Sequence, residues 1–426
     1  MIVNILEIGV SVGVKAAIKW GLGQEEDVVE LVKMEEVKKA VERLMDAGEE
    51  GEERRKRARE FGVNAKTAME EGVSITQIAM ASLQEHQQPH FLMIPLMAQG
   101  HMIPMMDMAK LLAQRGAVIT FITTPLNAAR LRTTVDRTVN SSDLQIRLVE
   151  LRFPCLEAGL PDGYENLDMV PFAADMAMKF FVAIEMLQQP VEKLLQEHEH
   201  PLPSCMISDM SISWTSEIAQ KFCIPRLVFH GTSSFSLLCS YNVRHCNAHE
   251  SVGSESEPFL IPGLPHRIEI TKAQLPSSFV TNSDMQHLRD KIRKAESSAD
   301  GVVLNSFDEL EMEYVDMYRK ATGKRTWAVG PVSLCNKETL DKMEEIRKVI
   351  ERLMDEGEEG EVRRKRAREF GVKAKRAMEE GGGSSYINMT HLIEDAMELS
   401  NICLAKKQSA DEFKLQREAN NSTNGC

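Results

Sequence analysis

Basic charge is scarce: 51 lysines and arginines against 64 aspartates and glutamates leave a net charge of −13 over 426 residues. A protein that follows a phosphate backbone needs a positive footprint, so nucleic acid is excluded as the expected partner. The acidic balance otherwise serves solubility. None of the eight cysteines stands in a CxxC pair, and no His/Cys cluster has zinc spacing, so no metal site is expected. Most cysteines sit in apolar runs such as SCMIS (204–208) and SLLCS (236–240). Thiols there behave as small buried hydrophobes, and free thiols in a reducing compartment are expected rather than a disulfide framework. No apolar run reaches the roughly 18 residues that a membrane-spanning helix needs. The opening segment, MIVNILEIGVSVGVKAAIKWG, carries Glu7 inside its apolar part and no basic residues ahead of it. It reads as a strand and a helix rather than a leader peptide. The expectation is a cytoplasmic protein without a membrane span, and a monomer.

The residues that are present change texture along the chain. Apolar residues make up 43% and charged residues 27%, and the length suits two or three domains. Residues 1–87 begin with a strand-like IGVSVGV and an acid-rich linker, GQEEDVVELV. A charged helical stretch follows, in which Val37, Val41, Leu44 and Met45 mark one buried stripe. Its basic cluster Arg54–Arg59 is flanked by Glu52, Glu53 and Glu60 and reads as a self-paired, solvated helix face. From residue 88 compact apolar runs of strand length take over: 90–96, 117–124, 146–151, 204–209, 226–231, 301–307 and 326–332. Helical patterns at 102–116, 173–198, 214–223 and 308–323 separate most of them. Strand alternating with helix predicts an α/β fold, a doubly wound parallel sheet of the Rossmann type, about seven strands wide. Strands that are apolar throughout fit a sheet buried on both faces.

The ten residues RRKRAREFGV occur twice, at 54–63 and at 363–372, 309 positions apart. Extending the match aligns Met34–Gly72 with Met343–Gly381, with 31 of 39 positions identical and differences as mild as Val37 against Ile346. Solenoids and propellers repeat many times at periods of about 20–50 residues. Two copies flanking a long unrelated stretch are not such an architecture.

One stretch carries chemistry. In FLMIPLMAQGHMIPMMDMAKLLAQRG (91–116) a strand runs into Gly100 and His101, and a helix follows with Pro104 near its start. Open α/β sheets bind ligands beyond the carboxyl ends of their strands. His101 therefore stands where a general base would, with a side chain suited to accept a proton from a hydroxyl near neutral pH. SCMISD (204–209) ends a second strand at Asp209, whose carboxylate could hold the imidazole's tautomer and stabilise its charged form. Alone, each also has an ordinary structural reading: a capping histidine, and an N-cap for the SISWTSE that follows.

Five segments bring a family into view: PLMAQGHMIPMMDMAKLLAQRG, GLPDGYENLD, ISDMSISWTSEIAQKFCIPRLVFHGTSSFSLL, IPGLPHRIEITKAQLP and VVLNSFDELEMEY. Together they resemble the acceptor-binding half of a plant family-1 UDP-glycosyltransferase, of the branch acting on flavonoids, hormones and triterpenoids. The resemblance implies the N-terminal half of a GT-B fold over residues 88–337. It puts the family's histidine base on His101 and its supporting aspartate on Asp209, and makes Gly100, His230 and Thr232 candidates for the acceptor pocket. It further implies a hexose moved from a UDP-sugar, UDP-glucose by expectation, to a hydroxyl of a small flavonoid, hormone or terpenoid. The deprotonated oxygen would attack the anomeric carbon opposite UDP and invert it, with neither cofactor nor metal.

Both repeat copies resemble the family's C-terminal tail, so the chain reads as tail (1–87), acceptor domain (88–337) and tail again (343–400). A polar, aperiodic extension, 401–426, is expected to be disordered. The second copy is expected to pack where the family's closing tail packs, and the first to be loosely held. The family's donor box opens on Trp, contains His-Cys-Gly-Trp-Asn-Ser and ends on Asp-Gln or Glu-Gln. None of Trp20, Trp214 and Trp327 lies in such a context, and the HCN at 245–247 is a partial echo only. Residues 332–342 cannot hold a βαβ unit of roughly 30 residues. The expectation is therefore a donor-binding domain that is largely missing and an impaired donor site. A merged reading of two adjacent related genes, or a non-catalytic protein that binds small molecules, would have this order.

Overall fold

A computed structural model describes residues 88–132, 144–171, 173–197, 202–276, 279, 286–336 and 358–423. Residues 1–87, with the whole first copy of the repeat, lie outside the described residues, as does the start of the second copy through residue 357. The strands are β1 (His90–Ile94), β2 (Val118–Thr123), β3 (Ile146–Glu150), β4 (Cys205–Asp209), β5 (Arg226–His230), β6 (Pro258–Leu260), β7 (Glu269–Thr271), β8 (Gly301–Leu304) and β9 (Arg325–Ala328). Seven of them form one sheet in the order β3-β2-β1-β4-β5-β8-β9, and β6 pairs with β7 in a separate antiparallel hairpin. Every pairing in the large sheet is parallel. The strand order turns back on itself between β1 and β4, and in such sheets the crevice for ligands opens at that point.

The helices are α1 (Gln99–Ala113), α2 (Ala174–Met186), α3 (Gln188–Gln196), α4 (Thr215–Phe222), α5 (Ser234–His245), α6 (Gln286–Ser297), α7 (Asp308–Thr322), α8 (Glu358–Ala377) and α9 (Ser384–Thr423). Alternation along the strands sorts the core into two faces. Phe91, Met93, Ile119, Phe121, Ile207 and Phe229 pack with Met105, Met108 and Leu112 of α1 and with Met389, Leu392 and Ala396 of α9. Leu92, Ile94, Ile122 and Met206 face the other way, onto Phe180 and Ile184 of α2, Val191 of α3 and Ile218 of α4. Further along that sheet Val302 and Leu304 meet Leu238 of α5 with Tyr314, Val315 and Tyr318 of α7. Cover on both sides is why these strands need no polar alternation.

Three elements depart from expectation. The helical pattern of 173–198 is two helices that part at Leu187. Pro190 has no N–H for the preceding turn, and its ring would meet the Met186 carbonyl in an unbroken helix. The helices α5 and α6 and the β6–β7 hairpin fall in stretches that show no clear period. Finally, α9 continues to Thr423 across the segment from Asn401 for which disorder is expected. Leu404–Glu418 is rich in Ala, Lys, Gln, Glu and Leu, and it prolongs a helix already anchored on the sheet, so no new nucleus has to form. No helix among the described residues is long and apolar enough to cross a membrane.

Candidate active site

β1 ends at Ile94, and after a short bend α1 starts at Gln99, which places His101 in the first turn of the helix. Neighbouring β4 ends at Asp209, with Ile94 opposite Ser208 in the register. Two side chains 108 positions apart thus meet at the carboxyl edge where the strand order reverses: His101 Nδ1 lies 2.7 Å from Asp209 Oδ2. The carboxylate is 1% exposed and the imidazole 38%. The other carboxylate oxygen, Oδ1, accepts the Ser211 N–H at 2.9 Å, which fixes the rotation of the group.

This geometry decides the tautomer. An ionised carboxylate only accepts, so Nδ1 carries the proton and neutral His101 presents the Nε2 lone pair away from Asp209. Burial pulls the imidazole pKa down, while the hydrogen bond to Asp209, the Asp209 charge and the charge of Asp168 push it up. The upward effects win, and the pKa is raised above 6.5. An oriented imidazole whose cation is stabilised and whose free nitrogen points outward can take a proton from a hydroxyl placed against it.

The remaining candidates divide. Gly100 has open space where a side chain would stand, and a Cβ built at Gly231 would lie 3.9 Å from the Gly100 carbonyl oxygen. The loop after β5, with exposed Thr232, therefore reaches the same edge as His101. His230 does not turn to this edge. It is 2% exposed, and its Nε2 meets Glu296 Oε1 of α6 at 2.9 Å. Burial raises the Glu296 pKa, but the hydrogen bond and charge of His230, with Arg244 and Lys324, hold it below the ordinary carboxylate range. The residue that sequence reasoning missed is Asp168, whose Oδ2 accepts the Gln99 N–H at 2.7 Å beside His101. The available signal was GLPDGYENLD itself, in which Asn166 two residues before Asp168 marks a turn. Exposed Ile103 on α1 and Met169 next to Asp168 supply apolar surface at the same edge. Among the described residues, no group of three or more His, Cys, Asp or Glu side chains is placed to hold a metal.

A parallel sheet with a histidine–aspartate pair at its switch point belongs to the class of α/β domains that bind ligands at that edge, and comparison narrows it. The family model for the glycosyltransferase N-terminal domain matches residues 89–334, more than half of the chain, and the chain belongs to that family. It is 50% identical over 252 residues to UDP-glycosyltransferase 73D1 of Arabidopsis thaliana, covering 59% of this chain and 49% of the relative. It is 46% identical over 262 residues to UDP-glycosyltransferase 73C3 of the same plant, covering 61% and 52%. The crystal structure of Glycyrrhiza uralensis UGT73P12 complexed with glycyrrhetinic acid 3-O-monoglucuronide aligns with a TM-score of 0.55 at 33% identity. That alignment covers 60% of this chain and 51% of the other. The chain thus spans about half the length of the curated relatives it matches.

Proposed function

We propose that residues 88–337 are the acceptor-binding half of a plant UDP-glycosyltransferase, with His101 as general base and Asp209 as the group that orients it. The observation that carries this reading is the 2.7 Å contact between them at the switch point. An acceptor hydroxyl set against Nε2 loses its proton as its oxygen attacks the anomeric carbon of a hexose, UDP leaves from the opposite face, and the configuration inverts. The imidazolium formed is held by Asp209 through Nδ1–H. The acceptor is a small plant metabolite of the flavonoid, hormone or terpenoid class, bound over Gly100 and Thr232; the triterpenoid-derived ligand in the Glycyrrhiza structure supports the last class. The expected donor is UDP-glucose and the expected location the cytoplasm. His230, turned to Glu296, supports the packing of α6 rather than the pocket.

The second half of the proposal is that this chain does not complete the reaction. The sequence between Pro331 and the second tail copy contains no donor box, so the base has no oriented sugar nucleotide to work with. Orientation of reactants supplies on the order of 7–11 kcal/mol of a barrier in well-arranged systems. Each lost donor to the departing diphosphate costs a further factor of about 10²–10³. Incubating the purified chain with UDP-glucose and a flavonol, and following product by mass spectrometry, is expected to show no glucoside. Glucoside formation that disappears in His101→Ala would overturn this half and leave the base assignment standing.

A further inference from the structure

The motif GLPDGYENLD supplies neither member of the pair just described, yet it is built tightly onto the base. Asn127 Nδ2, in the helical segment 125–132 after β2, donates to the Glu165 carbonyl and to Thr124 Oγ1, each at 2.9 Å. Asn166 Nδ2 donates to Asn127 Oδ1 at 2.9 Å, and Asn166 Oδ1 accepts the Asp168 N–H at 2.9 Å. Glu165 Oε2 accepts the Leu126 N–H, and the Leu167 N–H donates to the Met97 carbonyl at 2.7 Å, just ahead of α1. The network ends where the Asp168 carboxylate receives the first N–H of α1, that of Gln99, at 2.7 Å.

That position has an electrostatic consequence. Helix α1 begins without a cap of its own: Ala98 has no side chain to accept its N–H groups, and no acidic residue stands in its first turn. The positive end of a helix dipole disfavours a cation nearby, and His101 sits in that first turn. Left alone, the helix would work against the imidazolium that a general base must become. A carboxylate on the Gln99 N–H offsets that field while setting the entry of the turn that carries His101. The charged groups acting on the imidazole are Asp209 on β4 and Asp168 on this loop.

We propose that Asp168 is a positioning residue for the His101 base, supplying from 69 positions away the cap that α1 lacks and the charge that offsets its dipole. The inference rests on reading His101 as the base. It is tested on the full chain by NMR titration of labelled histidines, with His101→Gln to assign the resonance. In Asp168→Asn the amide oxygen can still accept the Gln99 N–H, so the fold should hold while the His101 pKa falls by about 0.2–0.7 unit, the range of a helix-terminus charge effect. Asp168→Glu restores the charge and should return the value most of the way, whereas Asp209→Asn should lower it further. An unchanged pKa in Asp168→Asn alongside a lowered one in Asp209→Asn would overturn the role of Asp168 and leave the base intact. An unchanged pKa in both would overturn the Asp209–His101 coupling itself.

Discussion

The imidazole of His101 is pulled two ways, down by partial burial and up by the carboxylates that face it, and the result sets a sign that can be measured. Because its pKa in the folded chain is raised above 6.5, protonation stabilises the fold. That contribution is present in full below the ordinary value and is lost as pH rises through the raised one. Wild type should therefore gain stability relative to His101→Gln as pH is lowered from about 8.5 to about 5.5, read by urea unfolding. The opposite slope would mean that the histidine is held neutral. Much of this site was legible in the sequence, for a physical reason. Asp209 ends one apolar strand and His101 opens the helix that follows its neighbour, and the carboxyl ends of adjacent parallel strands converge on one edge. The family resemblance offered His230, the last residue of β5, as a candidate for the acceptor pocket. Its side chain instead points to the face that α6 covers, and a sequence that hides α6 also hides its partner Glu296. Asp168 acts across 69 positions through a loop, and no local period announces such a contact.

At the scale of elements, β strands buried on both faces were readable from continuous apolar runs, whereas α5 and α6 were not. SFSLLCSYNVRH mixes a short apolar run with serines that suit either state, and QHLRDKIRKAES offers little apolar surface beyond Leu288, Ile292 and Ala295. The closing helix α9 is a working part of the sheet's cover. Leu392 is fully buried in the cluster it shares with Trp327, while Asp395 accepts from Trp327 Nε1 at 3.1 Å and from Arg325 at 3.0 Å. Leu392→Ala should destabilise the chain by about 2–5 kcal/mol in chemical denaturation. A loss under about 0.5 kcal/mol would show that α9 is not packed as described. The turn into α9 also separates the two repeat copies. A Cβ at Gly383 would lie 2.3 Å from the Ala377 carbonyl oxygen and 2.4 Å from that of Arg376. The equivalent residue of the first copy is Ser74, preceded by Val73 where the second copy has Gly382. Near-identity in sequence therefore stops short of the Gly382-Gly383 pair that makes this turn. Gly383→Ser should cost about 1–3 kcal/mol, the range for overpacking, and a neutral result would remove the distinction.

For the whole molecule, the proposal is an acceptor-binding half joined to a closing tail without a donor box between them. The seven-stranded sheet and the histidine–aspartate pair lie within residues matched by the glycosyltransferase N-terminal family, while α9, beyond that match, completes the cover of one face. Among the described residues the core of that half is closed by its own helices and by α9, so under this proposal small-molecule binding is expected without transfer. Titrating the purified chain by calorimetry separately with UDP and with a flavonol tests this claim most directly. The account predicts heat from the flavonol, abolished by filling the open space at Gly100 with Gly100→Trp, and none from UDP. Saturable UDP binding in the micromolar range would contradict it, because it would place a donor site in a chain proposed to lack one.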